Sequence, residues 1–500
     1  MSSVGRNIAA NTGGTAVVLT VFFVAVPVYL RLLGAEAYGL ASLLTTAVFA
    51  ATALDLGLGA TINREMARIT ARSTDAEPGA DVAATLQAAC WAVAITAGIA
   101  VAAVAPAVAT RWLSFFTLST VEVRGALGLL GAIVPALVMR GFYVAALNGL
   151  QRQSVANLVQ ASGSLGRAIA TVLGLQLVAP TPRVFFVTQL VVFYVEVAVL
   201  IAAFRVVRPP EVRGGRVRLA TIRPLLGFSA GIAGTMLLGL SMTSMDQVIL
   251  SAILPLSELG YYTLAVTVAA VLGHLVQPIT TAIYPRLSQL FERGDVHGAT
   301  DHYHFFSQLV ATIVMPLGAV LIFFPDDVLT LWTREADFAR AGALVLSLRT
   351  VGTVLNTLMH VPHVAQLAFG WSALGAGANA VAALLVIPLL VVLSQRWGGA
   401  GAAVAWIALN LGMLLVAMAW MHRRVLPGEL GRWYGHLVLP ALAVVVVGGL
   451  ARATMPEALG PAARLGWVAT TGVLAAVAAV TSAALVRRRV AVVARLARAE

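Results

Sequence analysis

The chain has 500 residues, of which 60% are hydrophobic and 11% charged, with a formal net charge of +12. Every one of its 33 basic residues is Arg, so it lacks the lysine of a nucleotide-binding P-loop and the lysine of a Schiff base to pyridoxal phosphate. A lone cysteine, Cys90, excludes a disulfide framework and a thiolate metal cluster.

Apolar stretches of roughly 20 residues, long enough for a helix to cross the ~30 Å hydrocarbon core, follow one another along the sequence. They run at about 8–30, 39–62, 83–108, 123–147, 156–179, 184–204, 225–254, 262–284, 305–325, 341–362, 371–394, 400–421, 435–452 and 464–486. In lipid, helices satisfy their own backbone groups. The expectation is therefore an all-α polytopic membrane protein with about fourteen transmembrane helices. The polar lead Met1 to Arg6 precedes an apolar stretch too long for a signal-peptide core and without a clear cleavage site, which reads as a retained first helix.

With the N-terminus inside, most arginines fall on cytoplasmic segments, including Arg64, Arg68 and Arg72, the run Arg205 to Arg223, and Arg487 to Arg489. This is the positive-inside pattern. It predicts a multi-pass protein of the cytoplasmic (inner) membrane with both termini cytoplasmic, and it accounts for the basic excess without a nucleic-acid partner. No connecting segment exceeds about 20 residues, too short for a catalytic domain, so a non-enzymatic role is expected.

Polar breaks divide the chain into an N-terminal six-helix lobe (1–204), a basic cytoplasmic linker (205–224), a second six-helix lobe (225–421), and two additional helices with a basic cytoplasmic tail (422–500). The lobes share a pattern. Leu33-Gly34-Ala35-Glu36-Ala37-Tyr38-Gly39-Leu40 parallels Leu256-Ser257-Glu258-Leu259-Gly260-Tyr261-Tyr262-Thr263, and the following spans exit at Arg64 and Arg286 after nearly equal lengths. An even number of spans per lobe gives a pseudo-twofold axis along the membrane normal.

An ionisable side chain at the bilayer centre costs roughly 2.5–3.5 kcal/mol on insertion scales, so each needs a partner or a cavity. Arg167 in the fifth span and Arg349 in the tenth fall near mid-membrane, and Arg140 lies about two helical turns from the cytoplasmic end of the fourth. Arg31 and Arg124 sit near span ends, where they can snorkel. Arg140 and Arg167 are either cavity cations or halves of internal ion pairs, and Glu196 in the sixth span is the candidate partner. Asp246 lies in a polar patch with Ser241, Thr243, Ser244 and Gln247, suited to ion coupling, gating or helix packing. His274 is close to mid-membrane and has the chemistry of a proton carrier or of a packed hydrogen-bonding group.

The cluster His297, Asp301, His302 and His304 superficially suggests a metal, but it spans a cytoplasmic loop and the polar start of the ninth span. No metal and no cofactor are assigned. His360 and His363, with Asn356 and Gln366, read as a solvated rim, while Gly13-Gly14, Pro135, Pro278 and Pro316 loosen their helices.

Several local patterns point further. Asn7, then Pro27-x-Tyr29-x-Arg31-x-x-Gly34 with Tyr38-Gly39, leads into Leu54-Asp55-Leu56-Gly57-Leu58-Gly59 and Arg64-Glu65. Leu147-Asn148-Gly149-Leu150-Gln151-Arg152, then Asp246-Gln247-Val248-Ile249-Leu250, and Tyr284-Pro285-Arg286-Leu287-Ser288 with Arg293-Gly294-Asp295 complete the set. Together these resemble the oligosaccharide flippases of polysaccharide biosynthesis, within the multidrug/oligosaccharidyl-lipid/polysaccharide flippase superfamily. The resemblance covers about the first 300 residues well and the rest mainly through helix number. Gln247 departs from it, standing where the family often places a basic residue.

The resemblance implies a carrier that moves an undecaprenyl-pyrophosphate-linked oligosaccharide repeat unit from the inner to the outer leaflet. A cationic, water-filled cavity would offset the desolvation of the diphosphate. Arg140, Arg167 and Arg349 are the candidate substrate-binding residues, through bidentate phosphate contacts. Asp55, Asp246, Glu196 and His274 are the candidates for coupling or gating. The implied partners are the lipid-linked oligosaccharide, the lipid bilayer, and a polysaccharide polymerase and glycosyltransferases. Two alternatives stand beside this: a cation-coupled multidrug-type extruder of the same fold, and a membrane-embedded polysaccharide polymerase or glycosyltransferase. The latter usually carries a large outer loop, and segments such as Asp326 to Arg340 are short.

Overall fold

The structure, a computed structural model, describes residues 3–71, 79–218, 220, 229, 233–234 and 245–487. Among these the chain is helical, with one isolated bridge between Ser114 and Pro255 and no strand. It forms two compact units, Met1–Gly260 and Tyr261–Glu500.

The first unit contains α1 (Ser3–Leu33), α2 (Ala35–Leu54), α3 (Leu58–Ala71), α4 (Gly79–Arg111), α5 (Thr120–Gly149), α6 (Gln153–Leu177), α7 (Pro182–Val207) and the short α8 (Met245–Ile253). Helix α5 is its centre, packed on α2, α3, α4 and α7, while α1 lies on α6. Small residues set the α4–α5 spacing. A Cβ on Gly98 would stand 2.7 Å from the Gly131 carbonyl, and one on Gly131 would stand 2.8 Å from the Gly98 carbonyl. Such close backbone approach drives helix association where lipid removes the hydrophobic incentive.

The turn between α1 and α2 is fixed by Glu36. Its carboxylate accepts hydrogen bonds from the amides of Phe116, Thr117 (2.6 Å) and Leu118 (3.2 Å) and from the Thr117 hydroxyl. Burial alone would raise the Glu36 pKa, but these hydrogen bonds outweigh it and hold the carboxyl below its ordinary range. Beside it, a Cβ on Gly39 would collide with the Leu256 carbonyl, and one on Gly260 would stand 3.0 Å from the Ala35 carbonyl. Gly39 and Gly260 thus pack closely against each other's segments within the first unit.

The second unit takes most of α9 (Leu256–Glu292), then α10 (Val296–Phe323), α11 (Pro325–Thr333), α12 (Ala336–Leu358), α13 (His360–Ala368), α14 (Ser372–Gly412), α15 (Met418–Val425), α16 (Leu430–Ala453) and α17 (Pro461–Ser482). Helix α10 is central here, against α12, α16 and α17. Its core includes Tyr303, Val310, Val314, Met421 and Trp433, all fully buried.

Ten helices among the described residues are long and apolar enough to cross a membrane, so the expected fourteen are not all seen as separate crossings. The chain departs from the expected spans at three places. The second span is broken into α2 and α3, because Leu56 (φ 51°) and Gly57 (φ 76°) take left-handed backbone. Most of the seventh span lies outside the described residues. The eleventh and twelfth are two helices within α14, joined at a kink where Gly398 takes non-helical backbone (φ 56°, ψ −135°).

Candidate functional site

The fourth, fifth and sixth spans bring three charges together inside the first unit. Glu196, near the middle of α7, has a side chain 0% exposed, and each carboxylate oxygen receives a guanidinium. Arg140 of α5 donates from Nε to Oε1 at 2.6 Å, and Arg167 of α6 donates from Nη1 to Oε2. The Arg140 and Arg167 side chains are 20% and 14% exposed. Arg140 also donates from Nη2 to Gln160 Oε1 at 3.1 Å, and the Arg167 guanidinium lies 4.3 Å above the centre of the Phe193 ring.

Helix periodicity puts these groups in one place. Gln160, Gly163, Arg167 and Thr171 recur at three- and four-residue steps, one face of α6. That face meets Gln189, Phe193 and Glu196 of α7, spaced the same way. Gly163 makes room: a Cβ there would stand 2.6 Å from both Cδ and Oε2 of Glu196. One turn beyond Arg167, Gln189 Nε2 donates to the Thr171 hydroxyl at 3.0 Å, which itself lies 3.2 Å from the Thr188 hydroxyl. The three ionic residues stand out in the sequence, whereas Gln160, Gly163, Thr171 and Gln189 do not. Their helical spacing around Arg167 and Glu196 was the available signal.

The electrostatic sum decides what the site can do. Two guanidiniums face one carboxylate, leaving an excess of one positive charge in a helical interior. A guanidinium has five N–H donors, and the bonds above use two on Arg140 and one on Arg167. Donors therefore remain for an anionic oxygen.

The other candidates lie elsewhere. Asp55 caps α3: Oδ1 accepts the Gly57 amide at 2.8 Å and Oδ2 the Gly59 amide at 3.2 Å, satisfying backbone donors that the broken span would otherwise leave unpaired. Asp246, in the first turn of α8, accepts the Gln247 amide at 2.8 Å, and Gln247 Oε1 accepts the Thr46 hydroxyl at 2.6 Å. In the second unit Arg349 is buried, donating to the Tyr262 hydroxyl at 3.3 Å and stacking 4.2 Å above Trp406. His274 is exposed on the surface of that unit.

The histidine cluster disperses. His297 pairs with Asp301 at 3.6 Å on the surface, and His302 Nδ1 bonds the Gly298 carbonyl at 2.8 Å. His304 turns inward to Glu429, Nε2 to Oε2 at 2.7 Å, beside a Tyr303–His422 hydrogen bond of 2.9 Å. Of the residues expected at a solvated rim, Gln366 is instead buried and donates to the Trp371 carbonyl at 2.9 Å, while Asn356 donates to the buried Asn410 at 2.8 Å.

The fold is that of a polytopic α-helical membrane protein, with a buried, net-cationic triad in its first unit. The chain belongs to the family described as polysaccharide biosynthesis protein, whose model matches residues 4–291; a second model, MatE, matches residues 232–392. Among known proteins it is 22% identical over 311 residues to a putative O-antigen transporter of Shigella flexneri, covering 61% of this chain and 71% of that protein. The fold is similar to the lipid II flippase MurJ in an inward closed conformation, with a TM-score of 0.71 at 11% identity over 97% of this chain and 99% of that one. It is also similar to an inward-facing multidrug resistance MATE family transporter of the MOP superfamily, with a TM-score of 0.70 at 15% identity over 83% of this chain and 96% of that one.

Proposed function

We propose that this chain is a flippase that carries undecaprenyl-pyrophosphate-linked oligosaccharide repeat units from the inner to the outer leaflet of the cytoplasmic membrane for polysaccharide assembly. The observation that carries this reading is the unbalanced charge of the Arg140–Glu196–Arg167 triad. A buried charge without a full counter-charge is costly, and a site that keeps one is built for a ligand of opposite sign. The family match over residues 4–291 supports the same reading, because it spans all three residues.

In this proposal Glu196 is a resident anion that holds both guanidiniums in place while the site is empty. The substrate diphosphate, with more oxygens than a carboxylate, takes over part of their N–H donors as it enters. Release on the far side returns them to Glu196. Alternating exposure of the triad to the two leaflets then moves the headgroup while the lipid tail stays in hydrocarbon.

The MatE match favours a second reading, an extruder of the same fold. A net positive site suits an anionic headgroup and disfavours a coupling cation at the triad, so the flippase stands first. The test is a deletion strain. Lipid-linked repeat units should accumulate with their sugars accessible only from the cytoplasm, and the gene restored should release them. If intermediates still appear outside while polymerisation stops, the protein acts after flipping and the proposal fails.

A further inference from the structure

A second cationic site lies in the first unit, apart from the triad. The starts of α4 and the ends of α5 and α7 enclose a cavity of about 690 Å³. Trp91, Tyr143 and Phe204 make an aromatic wall, and Gln87, Arg205 and Arg208 supply the polar groups. Among the described residues no carboxylate lines it. Arg208 Nε is buried and has no acceptor among the described residues, which is costly for a charged donor.

The cavity has a built cover. The segment 212–217 crosses the start of α4 so closely that a Cβ on Gly215 would collide with the Ala80 carbonyl, and Gly214 takes the left-handed backbone (φ 72°) that the turn needs. Asp81 fastens this strap: it accepts the Arg216 amide at 2.7 Å and pairs with Arg218 Nε at 2.8 Å. Arg218 also donates its amide to the Thr85 hydroxyl at 2.9 Å. Asp81 is thus committed to Arg218, and Arg205 and Arg208 remain on the cavity lining.

Aromatic walls, two guanidiniums and a buried N–H without an acceptor match a phosphate attached to an apolar body. We propose that this cavity binds the phosphate of an anionic phospholipid from the leaflet at this end of α4 and α7. Its apolar part lies along Trp91 and Phe204, and its phosphate oxygens take Arg208 Nε and the Arg205 guanidinium. The site is independent of the triad and of the substrate proposed for it. A lipid held here fixes the strap and the adjoining helix ends.

The test uses the purified full-length protein in neutral detergent, with phosphatidylglycerol, phosphatidylcholine and inorganic phosphate as probes and native mass spectrometry as the readout. Phosphatidylglycerol should be retained at least about tenfold better than phosphatidylcholine, which has the same phosphate but would set its choline cation beside Arg205 and Arg208. Arg208→Gln and the cavity-filling Ala84→Leu should each remove that preference, Arg208→Lys should keep part of it, and Arg213→Gln, on the strap but outside the lining, should leave it intact. Inorganic phosphate displacing the lipid at low millimolar concentration would show that a free phosphate is the ligand and overturn the lipid assignment. Preference unchanged in both Arg208→Gln and Ala84→Leu, with both variants eluting as the folded monodisperse protein, would overturn the site itself.

Discussion

Glu196→Gln isolates the charge argument. It keeps the volume of the side chain and one carbonyl acceptor but removes the counter-ion from two guanidiniums. Both reach one carboxylate, so taking them as about 5 Å apart with an effective dielectric near 20 gives a repulsion of about 3 kcal/mol. Removing one partner of a buried ion pair costs a similar 3–5 kcal/mol. At about 2–4 °C per kcal/mol for a unit of this size, the thermal midpoint in detergent should fall by roughly 6–12 °C. Arg140→Gln and Arg167→Gln should each cost less, since Glu196 keeps one guanidinium. Both should stop polymer export, because the site becomes neutral. The decisive variant is the double Arg140→Gln/Glu196→Gln, which restores a single excess positive charge. It should regain stability relative to Glu196→Gln and recover part of the export, scored by complementation of a deletion strain. If Glu196→Gln melts as the wild type does, or if the neutral single variants export normally, the reasoning from net charge is wrong.

Gly163→Ala places a methyl 2.6 Å from the Glu196 carboxylate; it should cost about 1–3 kcal/mol by overpacking and reduce export, read by thermal midpoint and complementation together. Glu36→Gln weakens the anchor for the Phe116, Thr117 and Leu118 amides and should cost about 1–3 kcal/mol. Because the folded Glu36 pKa is lowered, its stabilisation is present above the unfolded value of about 4.3 and lost as pH falls through the folded one. Melts between pH 5 and 3 should therefore show a shallower acid limb in Glu36→Gln than in wild type. In a Cys90→Ala background, single cysteines near Arg213 and Arg488 should resist a membrane-impermeant thiol reagent in intact cells, while one near Asp337 should react. The opposite result at either inner site would refute the topology.

The apolar lengths made the helices of the first unit legible, because a stretch of this composition has no stable alternative in lipid. Glu196 was legible as a partner for the same reason: Arg140 and Arg167 needed a counter-charge, and it was the acidic residue placed to serve. The break after Asp55 was not, since Leu54 to Gly59 reads as continuous apolar helix unless the carboxylate is recognised as a cap for the amides beyond it. The break at Gly398 was legible, because the boundary read between 394 and 400 falls on it. Its non-helical backbone (φ 56°, ψ −135°) joins two helices, so composition and backbone mark the same boundary. The polar lining of the triad was also missed, because Gln160 and Thr171 are ordinary in a helix and gain meaning only from what α7 sets opposite them.

The order of the triad along the chain has a consequence for biogenesis. Both cations are synthesised before their counter-ion: Arg140 precedes Glu196 by 56 residues and Arg167 by 29. At about 5–20 residues per second the ribosome needs roughly 1.5–6 s to add those last 29 residues. During that interval α5 and α6 carry uncompensated charge, a burden of roughly 2.5–3.5 kcal/mol each on insertion scales. Partition of these two helices into lipid should therefore be completed only when α7 emerges. Until then they are natural clients of the translocon, and a nascent chain stalled between Arg167 and Glu196 should remain crosslinkable to it.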